Sequence, residues 1–334
     1  MKKTFIYMIS LTLFLSSCNK SNRFEIDTTK NRVNVKIQRF DKDLISLDST
    51  NSEPALAKLY KSYAQFLPVY TAEVLNVDAK DTAAIRQLFM KYNSDKTFSK
   101  VNKTVLEKFN DISDIENTVS ESYTYIRHYF PEVKLPEIYF FVSGFNRSVL
   151  MNDKFIALGT DLYLGSDYPA YKDLSYDYLL VNMRRECVAT DLVSATLFRM
   201  FVMDSSKDRL LDNMIFRGKV MYLLSVFMPN EKPEDLMGYT PEQWKWCKSY
   251  KKEIWGTIIE NKDLFSTNML LISKYMNDAP FTAPVSQDSP GRLGTWLGWQ
   301  IVDSYMRKNQ NIGLKNLMDE NNYQKILEES GFKP

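Results

Sequence analysis

Histidine is nearly absent from this chain: His128 is the only one in 334 residues. That excludes a zinc site with several imidazole ligands and the helical H-E-x-x-H signature. A Ser-His-Asp or Cys-His engine would have to run through His128 alone. An excess of charge of either sign is also missing, since 43 Lys and Arg stand against 41 Asp and Glu. Charge this balanced argues against a nucleic-acid protein, which carries a basic face. The chain contains no P-loop, no G-x-S-x-G and no C-x-x-C, and its glycines do not follow a strand in G-x-G-x-x-G spacing. What remains is an apolar fraction of 44%, enough for one large core or two small ones.

The N-terminus carries a targeting signal. Lys2 and Lys3 precede a mostly apolar stretch from Phe5 to Leu15, too short to span a bilayer but suited to a signal-peptide core. It ends in Leu15-Ser16-Ser17-Cys18, a lipobox, in which two small residues admit the peptidase and the thiol takes the diacylglyceryl group. Residues 1–17 then form a lipoprotein signal peptide, and 18–32 a lipidated Cys with a polar tether. Acyl chains on Cys18 supply about 0.8 kcal/mol per buried CH₂, so several anchor firmly. Two Lys and no acid leave with the signal, which makes the mature charge zero. The expected location is the bacterial cell envelope, lipid-anchored at the outer membrane and facing the periplasm, because no acidic run follows Cys18. Cys187 and Cys247 both fall in apolar helical stretches, where a free thiol packs as a small hydrophobe; an oxidising envelope would permit a bridge, but the free form is favoured.

The body reads as one domain, 33–334, of α+β class and mostly α-helical, with a small antiparallel sheet. Val33, Val35 and Ile37 alternate with polar residues as in a half-buried strand. Helices are expected over 52–67, 81–92, 97–109, 111–130, 175–183, 185–203, 208–228 and 241–260. Between them, 137–143 and 155–164 are rich in β-branched and aromatic residues. Turn chemistry at 144–153 predicts that the two pair as a hairpin.

Several groups invite a chemical reading, and each has a plainer one. His128 in the last turn of a helix interacts favourably with the carbonyl end. Arg184 and Arg185 could hold a carboxylate bidentately, or form ordinary surface ion pairs. Gly218 interrupts an apolar helix and is explained by close helix packing, which leaves Arg217 and Lys219 as two cations on a buried-looking face. The Gly and Trp cluster Gly291-Arg292-Leu293-Gly294-Thr295-Trp296-Leu297-Gly298-Trp299 reads first as close backbone packing.

Taken together, Ile37 to Asp41, Ala157 to Gly165 with Tyr168-Pro169, Tyr178 to Arg185, Met214 to Leu223 and Gly291 to Tyr305 resemble the gliding motility lipoprotein B (GldB) family of Bacteroidota. That resemblance implies a membrane-anchored accessory, assembly or scaffolding factor of the gliding and type IX secretion machinery, with no catalytic residues and no cofactor. The family is itself distantly similar to zinc metallopeptidases, in which H-E-x-x-H lies on a helix and a Glu-Gly pair opens the next. The corresponding places here read Asp191 to Ala195 and Arg217-Gly218, so no metal is expected. The former substrate cleft, around Asp161, Arg184, Arg185, Asp191, Arg217 and Arg292, is where retained binding of envelope proteins or peptides is expected. The alternative is an envelope hydrolase using paired carboxylates, or an unusual metal set such as His128, Cys187 and an acid.

Overall fold

A computed structural model describes residues 23–47 and 52–334. The expected signal peptide, Cys18 and the start of the expected tether lie outside the described residues. The described residues are 58% helical around a four-stranded mixed sheet, the expected α+β class. The strands are β1 (Ile37–Arg39), β2 (Glu137–Phe141), β3 (Val149–Met151) and β4 (Phe155–Gly159), in spatial order β1-β2-β4-β3.

The expected hairpin is corrected by this order. β2 and β4 are neighbours but run parallel, with Ile138 opposite Ile156 and Phe140 opposite Leu158. The antiparallel partner of β4 is β3, which lies inside the 144–153 stretch read as turn. Asn152 closes that tight hairpin, its Oδ1 accepting from the amides of Lys154 (2.8 Å) and Phe155 (3.1 Å). Both β2 and β4 are buried on both faces, so their apolar runs carry no alternation from which direction could be read.

The alternating segment 33–37 forms a strand only from Ile37 onward. Before that it is stitched to the Ser113–Tyr129 helix by side chains. The amides of Val33, Val35 and Ile37 donate to Thr124 Oγ1 (3.0 Å), Ser120 Oγ (2.9 Å) and Glu116 Oε1 (3.0 Å). Two residues of extended chain advance about 6.6 Å and four of helix about 6 Å, so the two spacings keep step. Both hydroxyls still donate to the helix carbonyls four residues back.

The sheet separates two cores. On one face Tyr139, Phe141, Phe155 and Ala157 meet Phe40, Tyr63, Phe66 and Tyr70 from the helical turns before residue 74. Phe66 lies at the centre, stacked 5.0 Å from the Tyr139 ring and edge-on to Phe40 and Phe155. On the other face Ile138, Phe140, Ile156 and Leu158 pack into the larger core with the Ser113–Tyr129, Val188–Met200, Leu210–Phe227 and Leu293–Lys308 helices. The last two cross at glycines. A Cβ on Gly218 would lie 2.3 Å from the Gly298 carbonyl, and one on Gly298 would lie 1.8 Å from the Met214 oxygen. The stretch expected as one helix over 241–260 divides at Tyr250 into Pro241–Ser249 and Lys251–Glu260. Cys187 and Cys247 are free and buried, and burial pushes the Cys187 thiol up to about 12.

Candidate binding cleft

From β4 the chain turns through Thr160–Leu162 and reaches the Val188–Met200 helix by way of short helical turns at Pro169–Asp173, Asp177–Leu180 and Arg185–Cys187, the middle one lying in the expected 175–183 helix. Asp161 stands at the start of this stretch, fully buried. Its carboxylate accepts from the amides of Ser143 (2.9 Å) and Phe145 (2.7 Å) and from Ser143 Oγ. Burial pushes its pKa up, and those hydrogen bonds pull it back. They hold the loop after β2 against the sheet, with Phe145 in left-handed backbone at φ 64°. Asp161 therefore lines no cleft; it fixes the loop that carries Phe145 and Ser148 to one. Tyr171 completes the arrangement, donating to the Asp161 carbonyl (2.7 Å) and accepting from the Leu164 amide (2.9 Å).

Three of the expected residues share a polar recess: Asp191, Arg217 and Arg292. Asp191 projects from the first turn of the Val188–Met200 helix and accepts a 2.7 Å hydrogen bond from the Tyr163 hydroxyl. Burial raises its carboxyl to about 6, while the Tyr163 bond and the Arg292 charge hold it from rising further. Arg292 caps the Leu293–Lys308 helix in left-handed backbone at φ 59°, pairs with Asp278 at 3.0 Å and donates to the Met237 carbonyl at 2.6 Å. Arg217 donates to the Met276 carbonyl at 2.7 Å; burial, reinforced by the neighbouring Arg292 charge, lowers its pKa.

The two tandem arginines diverge. Arg184 stays at the margin of the recess, bound to Asp235 (3.2 Å) and the Val181 carbonyl (3.0 Å). Arg185 points away and grips Asp114 and the Asp111 carbonyl at the start of the Ser113–Tyr129 helix. Its fork is thus spent on joining two parts of the fold. Sequence reasoning missed Tyr163, Asn182, Asp278 and Thr295, which complete the walls. Tyr163, Asn182 and Thr295 lie within segments that carry the family resemblance but stand out there by no chemistry of their own, and only the folded 277–292 loop brings Asp278 to Arg292. That loop is clamped by Thr282, whose Oγ1 donates to the Pro290 carbonyl at 2.8 Å, and by Gly291 packed against Ala279.

The donor set does not fit a catalytic zinc ion. Asp191 shares its recess with two guanidinium groups and no imidazole. Among the described residues no group of three or more His, Cys, Asp or Glu could hold a metal. His128 and Cys187 line different cavities, which removes the unusual ligand set considered above. No helix among the described residues is long and apolar enough to cross a membrane.

The fold and this cleft define a mostly helical α+β protein with a recess lined by Asp191, Asp235, Asp278, Arg217 and Arg292. The family model described as gliding motility protein GldB matches residues 21–334, and the chain belongs to that family of gliding-motility-associated lipoproteins. No curated protein and no solved structure matches the chain.

Proposed function

We propose that the protein is a non-catalytic lipoprotein, anchored through acyl chains on Cys18, that binds envelope proteins of the motility and secretion machinery through the Asp191–Arg217–Arg292 cleft. The observation that carries this reading is Arg217. It is a largely buried guanidinium that, among the described residues, has one backbone carbonyl as its hydrogen-bond partner and no carboxylate in ion-pair range. A buried cation left unpaired costs several kcal/mol, and a binding partner relieves that cost. The short helical turns over residues 160–187, the sheet and two long helices hold the surrounding side chains in place, as a docking site requires.

Crosslinked co-purification from the native envelope tests it. Wild-type protein should retain envelope partners that a folded Arg217→Glu variant loses; unchanged capture overturns the cleft as the docking site. A Cys18→Ala variant should leave the membrane fraction, and one that stays there refutes the anchor.

Asp191 favours a second reading. A carboxyl held at about 6 beside a tyrosine hydroxyl suits proton transfer near neutrality. Hydrolysis of envelope peptides or glycans that is abolished by Asp191→Asn would establish an enzyme in place of a scaffold.

A further inference from the structure

The cleft has two lobes with Leu179, Asn182 and Asp191 as their common wall. One, of about 260 Å³, is lined by Phe145, Leu162, Tyr163 and Tyr171, and its rim carries Leu174, 58% exposed. The other, of about 290 Å³, holds Arg217, Arg292 and Thr295. Together they reach the range of small ligand sites, roughly 300–1,000 Å³.

Four groups along the polar lobe have unused hydrogen-bonding capacity. Arg217 has five N–H donors, and the Met276 carbonyl takes one of its nitrogens. Thr295 is only 6% exposed, yet its Oγ1 has no hydrogen-bond partner. Asn182 donates to the Gly238 carbonyl, but its buried Oδ1 is likewise unpartnered. Asp191 engages Tyr163 through Oδ2, and its Oδ1 makes no hydrogen bond among the described residues. Buried polar atoms without partners cost about 1–3 kcal/mol each and in native proteins call for an explanation. Here two donors, Arg217 and Thr295, seek an anionic oxygen, and two acceptors, Asn182 and Asp191, seek an N–H.

That pattern limits the ligand. Asp191, Asp235 and Asp278 line the same lobe and would repel a dianion such as a phosphate, so a single carboxylate suits it. The carboxylate must lie close to an N–H and to a large apolar group. A C-terminal amino acid residue carries all three on one Cα. An internal Asp or Glu would instead push polar backbone into the aromatic lobe.

We propose that the cleft captures the free C-terminal residue of a peptide. The α-carboxylate sits on Arg217 and Thr295, the amide N–H on Asp191 or Asn182, and a large apolar side chain fills the aromatic lobe. This rests on the reading of the cleft as a binding site and narrows its partners to chains that end in such a residue.

The test uses the full-length protein in detergent micelles and fluorescence anisotropy of a labelled peptide ending in Gly-Ala-Phe. Its partners in the assay are the same peptide as C-terminal amide and one ending in Gly-Ala-Ser. The Phe acid should bind at least tenfold more tightly than either, because the amide forfeits the hydrogen bonds to a charged carboxylate and the Ser acid forfeits the burial of a large apolar side chain. Arg217→Gln should bring the acid down to the level of the amide and leave the amide unchanged. Thr295→Val, a nearly isosteric change that spares the Arg217 contacts, should weaken the acid alone by about tenfold. Equal binding of acid and amide, or no saturable binding of the acid, overturns the proposal. So does N-acetylphenylalanine competing as well as the peptide, which would assign the site to a small carboxylate. If the acid fails to bind while Arg217→Glu still loses its crosslinked partners, the ligand chemistry falls and the docking reading stands. If the acid binds while crosslinking is unchanged, the reverse holds.

Discussion

Replacing Gly298 by Ala should destabilise the protein, although alanine is the better helix former. The new Cβ would lie 1.8 Å from the Met214 carbonyl oxygen and 2.5 Å from its carbon, atoms of the backbone that no rotamer change can move aside. Ordinary contact begins near 3.4 Å, so the two helices would have to part by about 1.6 Å. A gap of 0.5–1 Å already forfeits roughly a quarter to a half of each dispersion contact. The crossing is lined by fully buried side chains, among them Met214, Ile215, Trp296, Leu297, Ile301 and Val302. Overpacking costs about 1–3 kcal/mol and occasionally more; this one belongs at the upper end, about 4 kcal/mol. Helix propensity returns about 1 kcal/mol, leaving a net loss of about 3 kcal/mol. With a urea m-value near 3 kcal/mol per molar, the midpoint should fall by about 1 M. Gly256 is the control, a helical glycine whose added Cβ meets nothing within 4 Å. Gly256→Ala should gain about 0.5–1 kcal/mol. Urea midpoints that shift in the same direction for both variants would refute the reasoning.

Lys219 is 1% exposed and donates to the carbonyls of Met318 and Glu320, and burial lowers its pKa from 10.5 to about 8. The unfolded chain holds this proton more tightly, so the stability of wild type relative to Lys219→Met should rise by about 3 kcal/mol between pH 8 and 10.5; a flat difference in unfolding free energy refutes it. Asp191 has the opposite sign, because its folded pKa of about 6 lies above the ordinary 3.8. Its stabilising contribution is complete below pH 3.8 and lost as pH rises through 6, so wild type should lose at most about 3 kcal/mol relative to Asp191→Asn over that window, and less for the water the cleft admits. Phe66→Ala should cost about 3–5 kcal/mol in a chemical melt, since its ring touches strands and helices on one face of the sheet at once.

The helices were legible because their apolar stripes repeat over several turns, and Asp81 and Asp95 cap two of them as their chemistry allows. Strands β2 and β4 were placed but not their direction, for both are apolar on both faces, and β3, three residues long, was read as turn. The alternation at 33–37 was real, but its hydrogen-bond partners are side chains on a helix, which no local pattern announces. In the cleft, Asp191, Arg217 and Arg292 could be named as charges in apolar surroundings. Arg185 and Asp161 look the same in sequence and differ only in what the fold places beside them, Asp114 for one and the amides of Ser143 and Phe145 for the other. Thr295 became visible only once its hydroxyl was seen to lack a partner.

The insertion of β4 between β2 and β3 sets a timetable for the emerging chain. Phe40, Tyr63, Phe66 and Tyr70 are made early, yet the strand surface that covers them is supplied by Tyr139, Phe141 and Phe155. At synthesis rates of about 5–20 residues per second, an aromatic stripe stays uncovered for on the order of ten seconds. A late-closing sheet is also slow to form once its strands are present. During that interval the N-terminal third of the protein is a client for whatever holds unfolded chains, and a chain halted before residue 155 would remain one.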